Sequence, residues 1–497
     1  MKTKYSILVL LLINSFLFGQ SQIQSLVQQG MNQAYNMDFD SAEKTFNRII
    51  EIKPNSPQGF YRMAEIYFWI YLGSKDPGEY QVFLKFADLA QTRIDKILDD
   101  NSKDYQTMYI AGNLNSFRAM AQATNNSSVD AFWSSKKAVN YFEETLELNP
   151  KYYDAYLGLG LFDYAMSFVP DFLKWAVNLT GLTSDKARGF RYIKTAFRKG
   201  SSDKTEAAFH LSKIYTDYLA EYDSASALLR NLISRYPNNT VFTYQYAVNL
   251  IKDKQFDRAN GLLNRVIKLN NKKLPQVTAL AYYRKGEILF KRNQFKAAIA
   301  QYEIFLDLSK DLDFIGNAAL NTALSYKFLG NEAEYKKYLL LAKNGNQDIF
   351  EDSYAAQKSD RYMSNGITPV ELKLVKMKND LDAGLNKVVY DSLKTMLDKI
   401  TNREDQALAY IYFGEASLEL RRFAEAAYSA SQVINQRLSA DKWMTSTAYL
   451  IEAKIKYAKD DYANAKKLLK EAEDRNNYEF KDYLQSQIEW LKRRLPK

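Results

Sequence analysis

The sequence predicts an all-α protein, a right-handed α-α superhelix of roughly eight to ten stacked helical hairpins with a short apolar inserted helix. Three observations lead there. Apolar residues recur at helical spacing in paired segments: Phe209, Ile214, Tyr215 and Tyr218 form one stripe, and Ala225, Leu229 and Leu232 form another after a short turn. Such a hairpin cannot bury its own apolar face, and similar pairs return at intervals of about 34 to 39 residues to supply the missing neighbour. Prolines such as Pro54, Pro150 and Pro237 follow the second helices, where a residue without an amide hydrogen ends a helix.

Composition excludes several kinds of chemistry. The chain has 497 residues, 46% of them hydrophobic and 25% charged, the balance of an ordinary folded protein. Its formal charge is +10, or +8 without Lys2 and Lys4. Acidic and basic residues alternate along the helices, and the only concentrated basic run is Lys492-Arg493-Arg494, so no nucleic-acid partner is expected. There is no cysteine, which excludes disulfides and thiolate chemistry, and the lone His210 cannot build a zinc site. The sequence lacks a nucleophile elbow, a glycine-rich phosphate loop and an H-E-x-x-H motif. Adjacent acids such as Glu143-Glu144 and Asp99-Asp100 point apart on a helix. No catalytic residue, cofactor or metal ligand is assigned, and the chain is expected not to be an enzyme.

In chain order, residues 1–20 have the pattern of a secretory leader. Lys2 and Lys4 precede the apolar run Ile7–Ile13 and Phe16–Phe18, and Gly19-Gln20-Ser21 offers a cleavage region. The mature protein is therefore expected to be periplasmic or secreted, and without cysteine it is not a lipoprotein. A repeat signature begins immediately: Phe39, Ala42, Phe46 and Pro54. A small alanine lets two helices approach, a large residue fills the space beside it, and proline ends the unit. The signature returns as Tyr222, Ala225, Leu229; Phe256, Ala259, Leu263; Phe295, Ala298, Tyr302; Phe423, Ala426, Ala430; and Tyr462, Ala465, Leu469. First helices carry a small residue at the expected crossing: Gly30, Gly160, Ala247, Gly286 and Gly414. This is the tetratricopeptide repeat pattern. The reading divides the chain into an N-terminal array over 21–345, a polar linker at 346–368 and a C-terminal array over 369–497. The last array ends in a capping helix over 480–495, with Tyr483, Ile488 and Leu491 on its apolar side.

One repeat is interrupted. Tyr153–Tyr164 reads as a first helix, but its partner begins only near Ser184, with Gly189, Ile193 and Ala196 in packing positions. The intervening stretch, 165–183, is apolar. Pro170 stands where a short helix would start and Gly181 where it would end, placing Phe168, Phe172, Trp175 and Leu179 on one face. Three readings are open: a plug that stiffens the groove, a wall for an apolar ligand or peptide, and a membrane-surface helix.

Leu157-Gly158-Leu159-Gly160-Leu161-Phe162, followed by Ser167, Pro170, Lys174, Gly181, Asp185-Lys186 and Gly189, resembles the tetratricopeptide repeat protein 39 / inclusion-body clearance protein family. The resemblance covers residues 153–200, with Asp171 in place of a second proline and Thr183-Ser184 in place of a more glycine-like pair. It implies a helical repeat protein with an inserted helix and a non-enzymatic role, with family links to lipid handling and aggregate clearance. Known members act inside eukaryotic cells, whereas this chain has the pattern of an exported one.

Tyrosine is abundant, with 37 copies, and it favours interfaces because it joins a large ring to a hydroxyl. Tyr156, Tyr215, Tyr246 and Tyr282 lie on first helices and are candidate groove residues. The function expected is an exported scaffold or adaptor for protein or peptide partners. The alternative is a carrier or sensor of an apolar ligand, lipid or membrane surface through residues 166–182.

Overall fold

The computed structural model describes residues 22–165, 185–310, 313–436, 443–476 and 482–496, and every regular element among them is helical. The leader expected at 1–20 and the candidate residues Phe168, Phe172, Trp175 and Leu179 lie outside the described residues. The helices run α1 (22–35), α2 (Phe39–Ile52), α3 (Pro57–Ser74), α4 (Pro77–Asp100), α5 (Tyr105–Thr124) and α6 (Ser128–Leu148). They continue as α7 (Ala155–Ala165), α8 (Lys186–Lys199), α9 (Lys204–Asp217), α10 (Tyr222–Arg235), α11 (Thr240–Lys252) and α12 (Phe256–Leu269). Next come α13 (Pro275–Lys291), α14 (Phe295–Leu308), α15 (Ile315–Phe328), α16 (Glu332–Leu341), α17 (Phe350–Asn365) and α18 (Pro369–Asp382). The array ends with α19 (Asn386–Met396), α20 (Arg403–Glu419), α21 (Phe423–Ile434), α22 (Trp443–Ala458), α23 (Tyr462–Arg475) and α24 (Asp482–Arg494).

The hairpins form where the repeat signature predicts them. Ala42, Phe46, Ala225, Leu229, Ala259, Leu263, Ala298, Tyr302, Ala426, Ala430, Ala465 and Leu469 are all buried. The expected crossings are real: the Phe46 ring lies against Gly30, and a Cβ added at Gly286 would stand 2.7 Å from the Tyr302 ring. A larger residue at either glycine would push the paired helices apart.

Tight turns join the hairpins through one repeated device. Met37, Asn126, Lys254, Asn293, Gly330, Gly384, Arg421 and Asp460 adopt the left-handed conformation, with φ between 57° and 80°. The residue after each donates its amide five residues back, as in Gln255 to Leu250 (2.8 Å), Arg422 to Ser417 (2.8 Å) and Asp461 to Lys456 (3.0 Å). This bond satisfies a carbonyl that the helix end would otherwise leave open. The same residue then starts the next helix: Asp38 accepts from the Ser41 amide at 3.2 Å, and Asn331 from the Glu334 amide at 3.2 Å.

The chain separates into two compact units. The first takes residues through Leu211, with Leu228–Phe242 and Leu269–Gln276; the second takes Ser212–Ala227, Thr243–Lys268 and Val277 onward. The first has a core of α3 to α7 residues around Phe68, Phe83, Leu114 and Phe142. The second holds three clusters, around Tyr302 and Phe305, around Leu393 and Ile411, and around Leu469 and Ile488. The stretch 346–368, expected as a linker, is instead helical over Phe350–Asn365 and lies within the second unit. Its buried positions are Asp352, Ala355, Ser359 and Tyr362, so small and polar residues hide the apolar period that would mark a helix. The last described helix is α24, with Ile488 and Leu491 buried.

Candidate functional site

The interrupted repeat closes as a complete hairpin. Gly189, Ile193 and Ala196 are the buried residues of α8, as expected. A Cβ on Gly160 would stand 2.8 Å from the Gly189 carbonyl oxygen, so the two backbones touch at this crossing. Arg188 donates from Nε and one terminal nitrogen to the two oxygens of buried Asp163, at 2.8 and 2.7 Å. This bidentate pair sits at the root of the 166–184 stretch and joins its two ends.

The four candidate tyrosines are divided between the two units. Tyr156 belongs to the first unit, half-buried and edge-on to Tyr192 at 5.0 Å. Tyr215, Tyr246 and Tyr282 belong to the second. Tyr215 and Tyr282 are half-buried. Tyr246, expected in a groove, is instead 3% exposed, and its hydroxyl accepts from Arg258 at 3.0 Å. Its helix buries both sides in the stack, which the first-helix position alone does not reveal.

Within the first unit the chain returns to its own beginning. The Tyr35 ring lies 5.1 Å from Tyr236 and 5.5 Å from Trp69. Asn239 donates its side-chain amide to the Tyr35 carbonyl at 2.7 Å, and Tyr236 donates its hydroxyl to Asn32 at 3.3 Å. Behind this seam is an acid-rich cluster. Arg62 and Glu65 form an ion pair one turn apart on α3, with exposures of 6% and 3%. Tyr109 on α5 donates to Asp203. Asp154 accepts the amides of Ser201, Ser202 and Asp203 at 2.9 to 3.1 Å, holding the turn that leads into α9. Glu206, in the first turn of α9, faces Tyr35 and Glu65. Burial pushes the Glu206 carboxyl up to about 7, and the neighbouring charge of Glu65 adds to the rise. Burial, Glu206 and Asp154 push Asp203 well above the usual carboxylate range. Glu65 is also raised by burial, although Arg62 pulls against it. No group of acids or histidine among the described residues is arranged to hold a metal ion.

The second unit solves the same problem differently. Glu287, Lys378, Glu415 and Lys454 each stand six residues before the left-handed residue of their turn (Asn293, Gly384, Arg421 and Asp460). Glu287 and Glu415 are acidic and Lys378 and Lys454 basic, while α15 carries Leu324 at this position. Glu287 accepts from Arg284 at 2.7 Å and Lys291 at 2.8 Å; Lys291 also lies 3.7 Å from Asp382, which pairs with Lys378. Burial would raise the Glu287 carboxyl, but Lys291 and Arg284 outweigh it and hold the group at about 2. Burial pulls the Lys454 ammonium down, and its partner Gln487 accepts from it at 2.7 Å. The basic end of the chain is also paired: Arg494 donates to Glu221 at 3.1 Å, and Arg493 to the Leu219 carbonyl at 2.7 Å.

A polar hollow of about 500 Å³ lies along α1, lined by Ser25, Gln28, Gln29, Asn32, Gln33, Asn36 and Asp38. Its amide side chains each carry both donors and acceptors. Neither this hollow nor the acid cluster was singled out from sequence. A charged pair inside the apolar run Phe60–Tyr71 was the available signal for the cluster.

Residues 105–313 match the family model Iml2/Tetratricopeptide repeat protein 39, a span that contains the 153–200 resemblance. No curated protein matches the chain. Among solved structures, the apo form of the quorum sensor NprR from B. thuringiensis is 12% identical, with 84% of this chain and 99% of that chain covered and a TM-score of 0.31. Yeast Tom70 is 13% identical, with 96% of each chain covered and a TM-score of 0.22. A human IFIT1 dimer with PPP-AAAA is 14% identical, with 84% and 95% covered and a TM-score of 0.36. The hairpins, their small-residue crossings and the family-model match over 105–313 make this chain an all-α solenoid of tetratricopeptide repeats.

Proposed function

We propose that the protein is an exported, non-catalytic scaffold that binds a protein or peptide partner. The observation that carries this reading is the hollow along α1. Its side-chain amides carry donors and acceptors of the kind that a peptide backbone bonds to, and it lies on a repeat array, an architecture suited to holding partners along a surface. Export is supported by the charged start and apolar run of residues 1–20. A photo-cross-linking residue placed at Gln29, in the chain expressed in its own cells, is expected to capture a discrete protein. The same group at exposed Lys296 in the second unit is expected not to capture it. Equal capture at both positions, or none at Gln29, rejects the hollow as the docking surface.

A second reading concerns residues 166–182. The apolar composition of this stretch, with Pro170 and Gly181 as helix limits, supports a helix that serves an apolar ligand or a membrane surface. Native mass spectrometry of the mature chain separates the two readings: a lipid-sized adduct lost on Trp175→Glu supports the carrier, and an unchanged bare mass removes it.

A further inference from the structure

The seam that returns the first unit to its own beginning is held by asparagines that bond on two sides. Asn239, 2% exposed, donates its NH2 to the Tyr35 carbonyl at 2.7 Å, while its side-chain oxygen accepts the Phe242 amide at 2.8 Å. One planar amide thus joins two stretches of backbone, as donor to one and acceptor from the other. In the second unit Asn249 and Asn379 likewise donate to backbone, to the Tyr222 carbonyl at 3.1 Å and the Phe290 carbonyl at 2.9 Å.

Asn36 has the same arrangement with one side unused. The Asn238 backbone amide donates to its Oδ1 at 3.1 Å. A backbone amide can only donate, so this bond fixes the oxygen toward the seam and turns the NH2 away from it. One turn earlier, Asn32 accepts the Tyr236 hydroxyl at 3.3 Å in the same sense. Among the described residues neither NH2 meets a protein acceptor, and both side chains line the hollow along α1. What they lack is what Asn239 finds in Tyr35, a backbone carbonyl.

The lining also selects against charge. It contains no lysine or arginine, and its one charged member is Asp38. A carboxylate or phosphate group would meet repulsion there and no cation. Neutral carbonyl oxygens suit the donors, and the spacing suits an extended chain. Side chains four apart on a helix start about 5–6 Å from each other. Carbonyls on one side of an extended peptide recur about every 6.6 Å. Two successive carbonyls of such a peptide therefore reach Asn32 and Asn36.

Resting on the reading of this hollow as the docking surface, we propose that its ligand is the uncharged main chain of an extended peptide, held by the NH2 groups of Asn32 and Asn36, and that these two amides couple peptide binding to the α1 seam. A carbonyl bonded to the NH2 polarises the amide and strengthens its oxygen as the acceptor for Asn238 or Tyr236. It also fixes both side chains in the orientation that the seam uses. The bound peptide tightens the contact between α1 and residues 236–242.

Hydrogen exchange of the full-length chain tests this with a blocked, uncharged hexapeptide of alternating alanine and serine at millimolar concentration. Protection in α1 and in 236–242 is expected to rise together, by about fivefold at saturation, the net effect of one hydrogen bond. The α22–α23 hairpin serves as the control and is expected to hold constant. Asn36→Asp keeps the oxygen that accepts Asn238 and removes the NH2. Its seam without peptide is expected to match the parent, and its response to the hexapeptide to disappear. Asn32→Asp makes the same comparison where the first variant loosens the seam by itself. If both loosen it, the NH2 groups serve the seam and not a ligand, which overturns the proposal. So does no rise in protection, a rise in α1 alone, or a variant that responds as the parent does. An equal response to a hexapeptide with glutamate in place of serine overturns it too, since charge is then not selected against. Capture at Gln29 with no response to the hexapeptide leaves the docking surface standing and removes the main-chain ligand and its coupling. No capture at Gln29 removes the docking surface itself.

Discussion

In the first unit Glu65, Asp154, Asp203 and Glu206 gather near Arg62, whereas in the second Glu287 lies between Arg284 and Lys291 and Asp382 between Lys291 and Lys378. Both begin from the same hairpin and the same turn. What differs is whether each buried charge finds a partner on the neighbouring repeat. In the second unit Lys291 of α13 reaches Asp382 of α18, which also pairs with Lys378. In the first, Glu65 pairs with Arg62, Asp203 accepts from the Tyr109 hydroxyl and Asp154 accepts backbone amides. Paired buried charges add little net stability over apolar packing, but an orphaned one is costly.

The largest expected effect breaks that contrast at its most exposed joint. Arg62→Met removes the partner of buried Glu65, at an expected cost of about 3–5 kcal/mol near neutral pH. Lys378→Met in the second unit leaves Asp382 with Lys291 and is expected to cost about 1 kcal/mol. Denaturant unfolding of both variants measures the difference. Equal costs would mean that Lys291 does not serve Asp382 once Lys378 is gone. Protonation relieves the Arg62 variant, so its cost is expected to shrink in mild acid.

Glu206 and Glu287 are also expected to answer pH in opposite directions. Glu206 is raised to about 7, so its contribution is complete below the unfolded carboxylate range and is lost as pH rises through about 7. Glu287 is held at about 2, so its contribution is complete above the unfolded range and is lost as pH falls toward 2. Each swing is about 2–3 kcal/mol, with Glu206 at the lower end because it keeps some solvent contact. Local hydrogen exchange in α3 and in α13, followed across this range, distinguishes the two. A common direction of change in both helices would show that general charge, not these pairings, governs stability.

Much of the fold was legible because its information is local. Ala42 with Phe46 and Ala298 with Tyr302 mark helix contacts within one hairpin, and Gly30 and Gly286 mark the matching crossings. Even across the interruption, Gly189, Ile193 and Ala196 announced α8. The acid cluster was not legible, because Glu65 and Glu206 each read as an ordinary charge on a helix, and only the return of the chain to Tyr35 brings them together. Helix α17 escaped for the opposite reason: Asp352 and Ser359 occupy buried positions where an apolar residue would have marked the stripe. The turns were located, but not their left-handed geometry, since Lys254, Asn293, Arg421 and Asp460 share no residue type that demands it.

Those turns offer the smallest and most specific test. Arg421 has φ 58° and an exposed side chain, whereas Gly384 holds the same place one repeat earlier with φ 80°. A side chain in this conformation costs on the order of 1 kcal/mol, which glycine avoids at the expense of some added freedom in the unfolded chain. Arg421→Gly is therefore expected to stabilise the second unit by about 0.5 kcal/mol, read as a small rise in thermal midpoint. Met37→Gly makes the same change in the first unit, where φ is 65°, but Met37 is half-buried. It gains the same backbone relief and loses apolar contact, so its net effect is expected near zero or slightly destabilising. An equal gain at both turns would show that backbone geometry alone sets the cost. A loss at Arg421 would show that its side chain, and not its backbone, is what that turn requires.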